Sequence, residues 1–280
     1  MSDNSIKCWG YNGYGQLGLD DVTQRAIPPA TGVTAATLGA NPVAVAVGYY
    51  HTCALLSTGK IKCWGYNGFG ELGQGHANNL GDFAGEMAAL PVVNLGTNYT
   101  ASAISTLANA TCAIVTVGAT TGVKCWGYNL YGQLGLGDNI NRGDSAVANH
   151  EMGDLLPFVN LGTGRTPVSI STGYYHACVI LDNNATKCWG YNGYGNLGYG
   201  DVTQRGSAVN QMGDLLLNLD FGSLTAMDVY LGNQSSCAVL SDGSTKCWGY
   251  NGFGELGVGH TGSVGNANGQ MGVNIQSTSF

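Results

Sequence analysis

The chain has 280 residues, of which 10% are charged, and its formal net charge is −7. Its 46 glycines and few charges exclude a bundle of long amphipathic helices, and a hydrophobic fraction of 44% argues against disorder. Ten Lys and Arg against seventeen Asp and Glu leave no basic face for nucleic acid, and no apolar run reaches the roughly 18 residues of a membrane span. We therefore expect an all-β, turn-rich protein.

The chain contains five copies of the hexapeptide Lys-Cys-Trp-Gly-Tyr-Asn, each followed by the pattern x-aromatic-Gly-x-Leu-Gly. The copies are Lys7–Asn12, Lys62–Asn67, Lys124–Asn129, Lys187–Asn192 and Lys246–Asn251. All tryptophans belong to them: Trp9, Trp64, Trp126, Trp189 and Trp248 lie 55, 62, 63 and 59 residues apart. A period of this length is typical of propeller blades with four antiparallel strands. The sequence thus predicts a β-propeller of about five repeats.

The repeats at the two ends of the sequence are incomplete. By alignment with the fifth repeat, residues 2–4 form a hairpin turn, and the strand before that turn is absent. The last repeat stops before its closing strand. We expect residues 1–280 to form a single propeller-type domain that begins and ends inside a repeat, and that is either open or completed by another chain segment.

A β-hairpin is predicted before each of the last four hexapeptides. With Cys53 opposite Cys63, the loop is Ser57-Thr58-Gly59, a three-residue turn in which glycine takes the position of positive φ. In the hairpin before Lys187–Asn192, Asn184 takes that position. The same opposition is predicted for Cys112 and Cys125 (with an insertion at residues 118–122), Cys178 and Cys188, and Cys237 and Cys247.

Directly opposed strand positions bring Cα atoms to about 4.5–5.5 Å, a distance that a disulfide bond can span. The sequence therefore predicts the disulfides Cys53–Cys63, Cys112–Cys125, Cys178–Cys188 and Cys237–Cys247. The alternative is that these are buried thiols packed beside tryptophan. Zinc binding is disfavoured because the cysteines of each pair are too far apart for a zinc knuckle. Cys8 is left over, either unpaired or bonded to another segment or molecule.

Disulfides indicate an oxidising compartment, and four N-glycosylation sequons agree with that indication. The candidate asparagines are Asn98, Asn109, Asn184 and Asn233. No signal peptide is visible after Met1. We expect the protein to be extracellular or to lie at the cell surface.

Residues 48–56 and 64–73 combine Gly-Tyr-Tyr-His-Thr-Cys-Ala-Leu-Leu with Trp-Gly-x-Asn-x-x-Gly-x-Leu-Gly. This pattern, repeated over nearly the whole chain, resembles the regulator of chromosome condensation repeat family. The resemblance implies a propeller of four-stranded blades, usually seven, and the cysteines resemble those of its secreted or surface branch. It implies no single function, since family members exchange nucleotide on a small GTPase, perceive ultraviolet light or inhibit a secreted β-lactamase.

The sequence shows no catalytic, metal or cofactor site. His51 and His176 share a repeat position that Ala110 and Ser235 fill elsewhere, which favours structural histidines bonded to a loop. The remaining histidines show no metal-ligand spacing. The lysines of the hexapeptides are expected to aid solubility or protect strand edges; they are Lys7, Lys62, Lys124, Lys187 and Lys246.

We therefore expect a non-catalytic extracellular scaffold, structural or adhesive, that self-assembles into a larger polymer or is part of a longer chain. Its expected partners are itself, by strand addition or end-to-end assembly, or other surface proteins and glycans. One alternative is a carbohydrate- or protein-binding module that uses the loops of a propeller face. A third hypothesis, guanine nucleotide exchange on a small GTPase, is disfavoured by the lack of a basic face.

Overall fold

The computed structural model describes residues 5–28, 32–145 and 150–278, so the predicted turn at residues 2–4 lies outside the described part. Regular structure in these ranges consists of twelve β-strands, one α-helix (α1, Ala35–Leu38) and three single 3-10 turns at Gly153–Leu155, Gly213–Leu215 and Gly272–Asn274. The strands form four separate antiparallel sheets of three strands each. The predicted all-β class is confirmed. None of the helices described has the length and apolar character needed to cross a bilayer.

The chain divides into two compact units. The first consists of Met1–Tyr128 with Ile140–Pro157, and the second of Asn129–Asn139 with Phe158–Phe280. That residues 1–280 form a single domain stays a prediction.

The first unit contains two of the sheets. The first sheet consists of β1 (Pro42–Val47), β2 (His51–Leu56) and β3 (Ile61–Gly65), in that spatial order. The second sheet consists of β4 (Thr100–Leu107), β5 (Ala110–Val117) and β6 (Thr120–Gly127). Every residue of β2 is buried, as expected for a middle strand that is covered on both faces.

The second unit repeats this arrangement. Its sheets are β7 (Pro167–Thr172), β8 (His176–Leu181) and β9 (Thr186–Gly190), and β10 (Ala226–Leu231), β11 (Ser235–Leu240) and β12 (Thr245–Gly249). In all four sheets a β-bulge interrupts the pairing of the first strand with the middle strand near the start of the first strand. The regular recurrence of the bulge shows that each repeat folds in the same way.

The predicted hairpin register is confirmed. Cys53 lies opposite Cys63 in the pairing of β2 with β3, and the other three cysteine pairs are opposed in the same manner. Gly59 and Asn184 have φ of 70° and 64° at the turns, as the three-residue loop requires. The insertion in the second sheet lengthens β5 and β6 to eight residues each and leaves a two-residue turn after Val117.

The fourth strand of each predicted blade is reduced to isolated contacts. Beyond β3, Gly65 forms a single bridge with Leu80, and Val93 N donates to Ile61 O at 2.8 Å. The bridge recurs 15 residues after the same glycine in the other repeats: Gly10 with Arg25, Gly127 with Arg142, Gly190 with Arg205 and Gly249 with Val264. The intervening segments are rich in glycines of positive φ, which cannot continue a ladder. The sheets are therefore three-stranded rather than four-stranded.

Each unit has a core built around tryptophan. In the first unit Trp64 packs with Val33, Leu56, Met87 and Leu90. In the second unit the corresponding cluster gathers Leu197, Leu219, Phe221, Val229, Leu240, Trp248 and Ile275. Because the tryptophan comes from the repeated hexapeptide, the core recurs with the same period as the sequence.

Candidate functional site

Disulfide bonds join the middle and third strand of every sheet. They are Cys53–Cys63, Cys112–Cys125, Cys178–Cys188 and Cys237–Cys247, with Cα atoms 4.0–4.1 Å apart. The eight cysteines are buried except for the half-buried Cys237. Each bond closes a loop of only 10 to 13 residues, so it reinforces one hairpin and does not link distant parts of the chain.

The six residues after each hexapeptide form a turn that we call the junction loop: residues 13–18, 68–73, 130–135, 193–198 and 252–257. The asparagine of the hexapeptide holds this loop, as Asn67 Oδ1 accepts from Leu72 N at 2.8 Å. At the fourth position of the loop, Glu71 O accepts from Trp126 Nε1 at 2.9 Å and from Thr111 Oγ1 at 3.1 Å. The junction loop of one repeat therefore binds the tryptophan of the next.

This junction contact recurs in both units. Gln16 O accepts from Trp64 Nε1 at 3.0 Å and from Thr52 Oγ1 at 2.9 Å. In the second unit Asn196 O accepts from Trp248 Nε1 and Ser236 Oγ at 3.0 and 2.8 Å, and Gln133 O accepts from Trp189 Nε1 at 3.0 Å. The indole N–H groups of all four buried tryptophans are thereby satisfied, as burial requires.

The last residue of the junction loop must be glycine. Gly73 has a φ of 65°, and a Cβ there would lie 3.0 Å from Trp126 Nε1 and 2.9 Å from Met152 Cε. An alanine would meet both a strained backbone and the indole that the loop binds. The repeated Leu-Gly of the sequence pattern thus has a packing reason.

The two histidines of the shared repeat position extend the junction contact. His51 Nε2 lies 2.9 Å from Thr111 Oγ1, and His176 Nε2 lies 2.9 Å from Ser236 Oγ. Because Thr111 gives its proton to Glu71 O, His51 must donate from Nε2 and is the neutral Nε2–H tautomer. Burial lowers the pKa of His51 to about 4. The partner is a strand of the neighbouring sheet, so the expectation of a histidine bonded to a loop is wrong.

Three hexapeptide lysines are buried, which corrects the expectation of solubility or edge protection. Lys124 and Lys187 are 1% and 5% exposed, and Lys246 is 8% exposed. Lys124 Nζ donates to Leu95 O at 2.7 Å and to Gly153 O at 2.8 Å. Desolvation lowers the pKa of Lys124 to about 8. The ammonium group therefore ties the carbonyl of Leu95 and that of Gly153, at the start of a 3-10 turn, to β6.

Glu71 is the one carboxylate of a junction loop that is fully buried. Its Oε2 accepts from Phe69 N at 2.9 Å, whereas Oε1 has no hydrogen-bond partner among the described residues. Burial raises the pKa of Glu71 to about 7, and the nearby Asp144 carboxylate acts in the same direction. In the same loop position Gln16 and Gln133 accept from Tyr14 N and Tyr131 N at 3.0 Å.

Aromatic side chains of the repeats contact one another in each unit. In the first unit the rings of Tyr14, Tyr50 and Tyr66 have centroids 5.0–6.3 Å apart, in edge-to-face geometry. The second unit has an equivalent group of Tyr131, Tyr175 and Tyr191. At the border of the first group Tyr11 and Tyr49 are 53% and 58% exposed. These exposed rings form an aromatic surface.

The first hexapeptide differs from the others. Trp9 is 56% exposed, whereas the other four tryptophans are fully buried. It lines a cavity of ≈ 340 Å³ together with Cys8, Tyr11, Val47 and other residues of the first unit. Cys8 is a free, half-buried thiol, and burial raises its pKa. That Cys8 bonds to another segment or molecule stays a prediction.

Of the four sequon asparagines, Asn98, Asn184 and Asn233 are exposed and Asn109 is half-buried. Their glycosylation stays a prediction. Within residues 5–28, 32–145 and 150–278, no group of three or more His, Cys, Asp or Glu side chains is placed to hold a metal ion.

Sequence reasoning missed the carbonyl of the junction loop as the acceptor for tryptophan. The hydroxyl residue one position before the cysteine in three repeats (Thr52, Thr111 and Ser236) was a usable signal for it.

Two sequence profiles of the regulator of chromosome condensation (RCC1) repeat match this chain, over residues 5–55 and 123–180 and over residues 43–71 and 168–196. Together they cover half of it. The chain is 26% identical over 267 residues to the ultraviolet-B receptor UVR8 of Arabidopsis thaliana, which is 93% of this chain and 52% of the relative. The chain thus spans about half the length of this relative.

Solved structures show the same fold. The human WBSCR16 structure superposes with a TM-score of 0.72 at 16% identity, covering 99% of this chain and 63% of the other. Prp20p from Saccharomyces cerevisiae gives 0.70 at 19% identity, covering 99% and 59%, and its structure was described with its binding to Gsp1p and histones. These likenesses establish the fold alone.

Proposed function

The chain belongs to the regulator of chromosome condensation repeat family, and from this premise we propose that it is a non-catalytic extracellular scaffold built from propeller repeats. The observation that carries the proposal is the set of four hairpin disulfides, one in each sheet. Disulfides persist in oxidising compartments and are rare in the cytosol. A protein that reinforces every sheet in this way is suited to a structural role outside the cell.

The buried polar groups support the same role. His51 bonds the hydroxyl of Thr111, and Lys124 bonds two backbone carbonyls, so both side chains are already used in holding the fold. Both are buried away from solvent. A general acid or base must reach its substrate, which these side chains do not.

Mass spectrometry of native material under non-reducing conditions tests the proposal. We expect peptides that link Cys53 to Cys63 and the equivalent pairs in the other sheets, with mass shifts that appear only after reduction and alkylation. Nine free thiols in native material would overturn the extracellular assignment. The same digest reports whether the sequon asparagines carry glycans.

The aromatic surface supports a second candidate, a carbohydrate- or protein-binding module. Tyr11 and Tyr49 are exposed, and tyrosine supplies contact area at low entropic cost. A glycan array and a pull-down with the chain and with a Tyr11→Ala/Tyr49→Ala variant test this candidate. Phe83→Ala is a matched control because Phe83 is 70% exposed and does not belong to the ring group. Binding that only the tyrosine variant loses would support the module; binding that all variants keep would contradict it.

Guanine nucleotide exchange has the least support. Prp20p was described with its binding to Gsp1p, but its 19% identity to this chain shows the fold only. The net charge of −7 leaves no basic surface for chromatin. If the chain accelerated nucleotide release from a small GTPase, nucleotide exchange would be favoured over the scaffold and the binding module.

A further inference from the structure

The junction loops differ in the residue at their fourth position. Two loops carry glutamine (Gln16 and Gln133), one carries asparagine (Asn196), and two carry glutamate (Glu71 and Glu255). Gln16 and Gln133 are buried, and each accepts from the backbone N–H two residues earlier through one side-chain oxygen. Glu71 reproduces this contact through Oε2. Its Oε1 corresponds chemically to the side-chain NH2 of glutamine, and no described residue bonds it.

A buried carboxylate oxygen without a donor is costly, because ionisation would leave a charge away from water. The neutral carboxylic acid is close to the glutamine amide in shape. Each has one oxygen that accepts a hydrogen bond, and the second atom bears hydrogen: O–H in the acid and NH2 in the amide. The position of Glu71 in a glutamine slot therefore fits the protonated form.

The backbone N–H groups of Phe69 and Glu71 favour the Glu71 anion, but burial outweighs them, and the charged and titratable side chains around it do not stabilise the anion. In its own repeat the neighbour is Tyr66, whose pKa is raised by burial and then by the charge of Glu71. Asp144 disfavours the Glu71 anion and is itself hydrogen-bonded to His150 Nδ1. Arg142 directs Nη1 to Ile140 O at 2.6 Å. From the first sheet, His51 is buried and neutral and bonds Thr111.

The backbone of Glu71 is the acceptor of a junction contact. Its carbonyl accepts from Trp126 Nε1 and Thr111 Oγ1, so any movement of the side chain toward water acts on the loop that joins the first and second sheets. We propose that Glu71 is a pH-sensitive contact: its carboxyl is held as the neutral acid in a glutamine slot, and its ionisation loosens the junction between the first and second sheets. This inference does not depend on the scaffold role.

The experiment compares urea unfolding of the wild-type chain, Glu71→Gln and Glu255→Gln between pH 5 and pH 8. A carboxyl whose pKa is raised by folding stabilises the protein at low pH, and this contribution is lost as the pH rises through the folded value. Because folding raises the pKa of Glu71 from 4.5 to about 7, we expect the unfolding constant of the wild type, relative to that of Glu71→Gln, to rise about 70-fold over this range. Glu255→Gln is the matched control, because Glu255 is exposed at the same loop position, and it should follow the wild type.

Other titrating groups, including His51, are present in both proteins and cancel in the ratio. A ratio that does not change with pH would overturn the proposal, since a purely structural role gives only a constant offset. If Glu71→Gln does not fold, infrared spectroscopy of the wild type labelled at glutamate decides the question. A carboxylic acid C=O band that titrates near neutral pH supports the proposal, and complete ionisation of every glutamate at pH 6 refutes it.

Discussion

Replacing Trp126 by phenylalanine tests the junction contact directly. The indole is fully buried and donates to Glu71 O at 2.9 Å, while Thr111 Oγ1 donates to the same oxygen at 3.1 Å. Trp126→Phe removes one donor and some ring volume but leaves the carbonyl with its second donor. We expect it to lower the free energy of unfolding by about 1–3 kcal/mol. Thr111→Val removes the other donor and should cost about 1 kcal/mol or slightly more, because it also leaves His51 without its partner.

The double variant Trp126→Phe/Thr111→Val is more informative than either single one. With both donors gone, Glu71 O is a buried carbonyl without a hydrogen bond, which adds a desolvation penalty of about 1–3 kcal/mol. The loss in the double variant should therefore exceed the sum of the single losses by about that amount. Urea unfolding followed by circular dichroism measures all four free energies at one pH.

Trp9→Phe is the matched control for this cycle. Trp9 has the same position in the first copy of the hexapeptide but is 56% exposed. Its replacement should therefore change the free energy of unfolding by less than about 0.5 kcal/mol. If Trp126→Phe proves as mild as Trp9→Phe, or if the two losses simply add, the junction loop does not bind the next tryptophan in the way described.

Three further predictions concern other buried groups. Cys112→Ala/Cys125→Ala should lower the free energy of unfolding by about 2–4 kcal/mol, and reducing conditions, which break all four disulfides, should lower that of the wild type further. An unchanged midpoint of the variant in urea unfolding would contradict the structural role of this bond. His51 has its pKa lowered by burial to about 4, so the stability it contributes is present above its unfolded pKa and is lost as the pH falls from about 6.5 to 4. His51→Gln should flatten the acid limb of the stability profile, and an identical limb in the variant would refute this. Lys124→Met keeps the stem but leaves the carbonyls of Leu95 and Gly153 without their donor, so we expect a melting temperature below that of the exposed control Lys60→Met.

Most of the fold could be predicted from the repeated sequence pattern. Five hexapeptides at a period near that of a propeller blade, with glycine or asparagine at hairpin turns, were enough to predict antiparallel sheets and the opposition of Cys53 with Cys63. The turn signal is local, because the two strands of a hairpin and their turn span at most 18 residues. Such short-range relations depend on backbone geometry that each residue type expresses by itself.

The contacts between repeats could not be predicted from the sequence in the same way. The sequence did not show that the fourth strand shrinks to single bridges such as Gly65 with Leu80, or that Lys124 is buried against two carbonyls. Nor did it show that Glu71 is buried at a loop position where other repeats have glutamine, or that its backbone carbonyl accepts from Trp126 Nε1. These contacts join residues 15 to 55 positions apart. Every residue has a backbone carbonyl, so the sequence does not indicate which carbonyl accepts a hydrogen bond. The sequence by itself determined the repeating hairpin and its cysteine register, because these follow from local turn chemistry. Only the tertiary structure decided which buried polar groups meet between repeats, because burial and hydrogen bonding depend on segments that are brought together by folding.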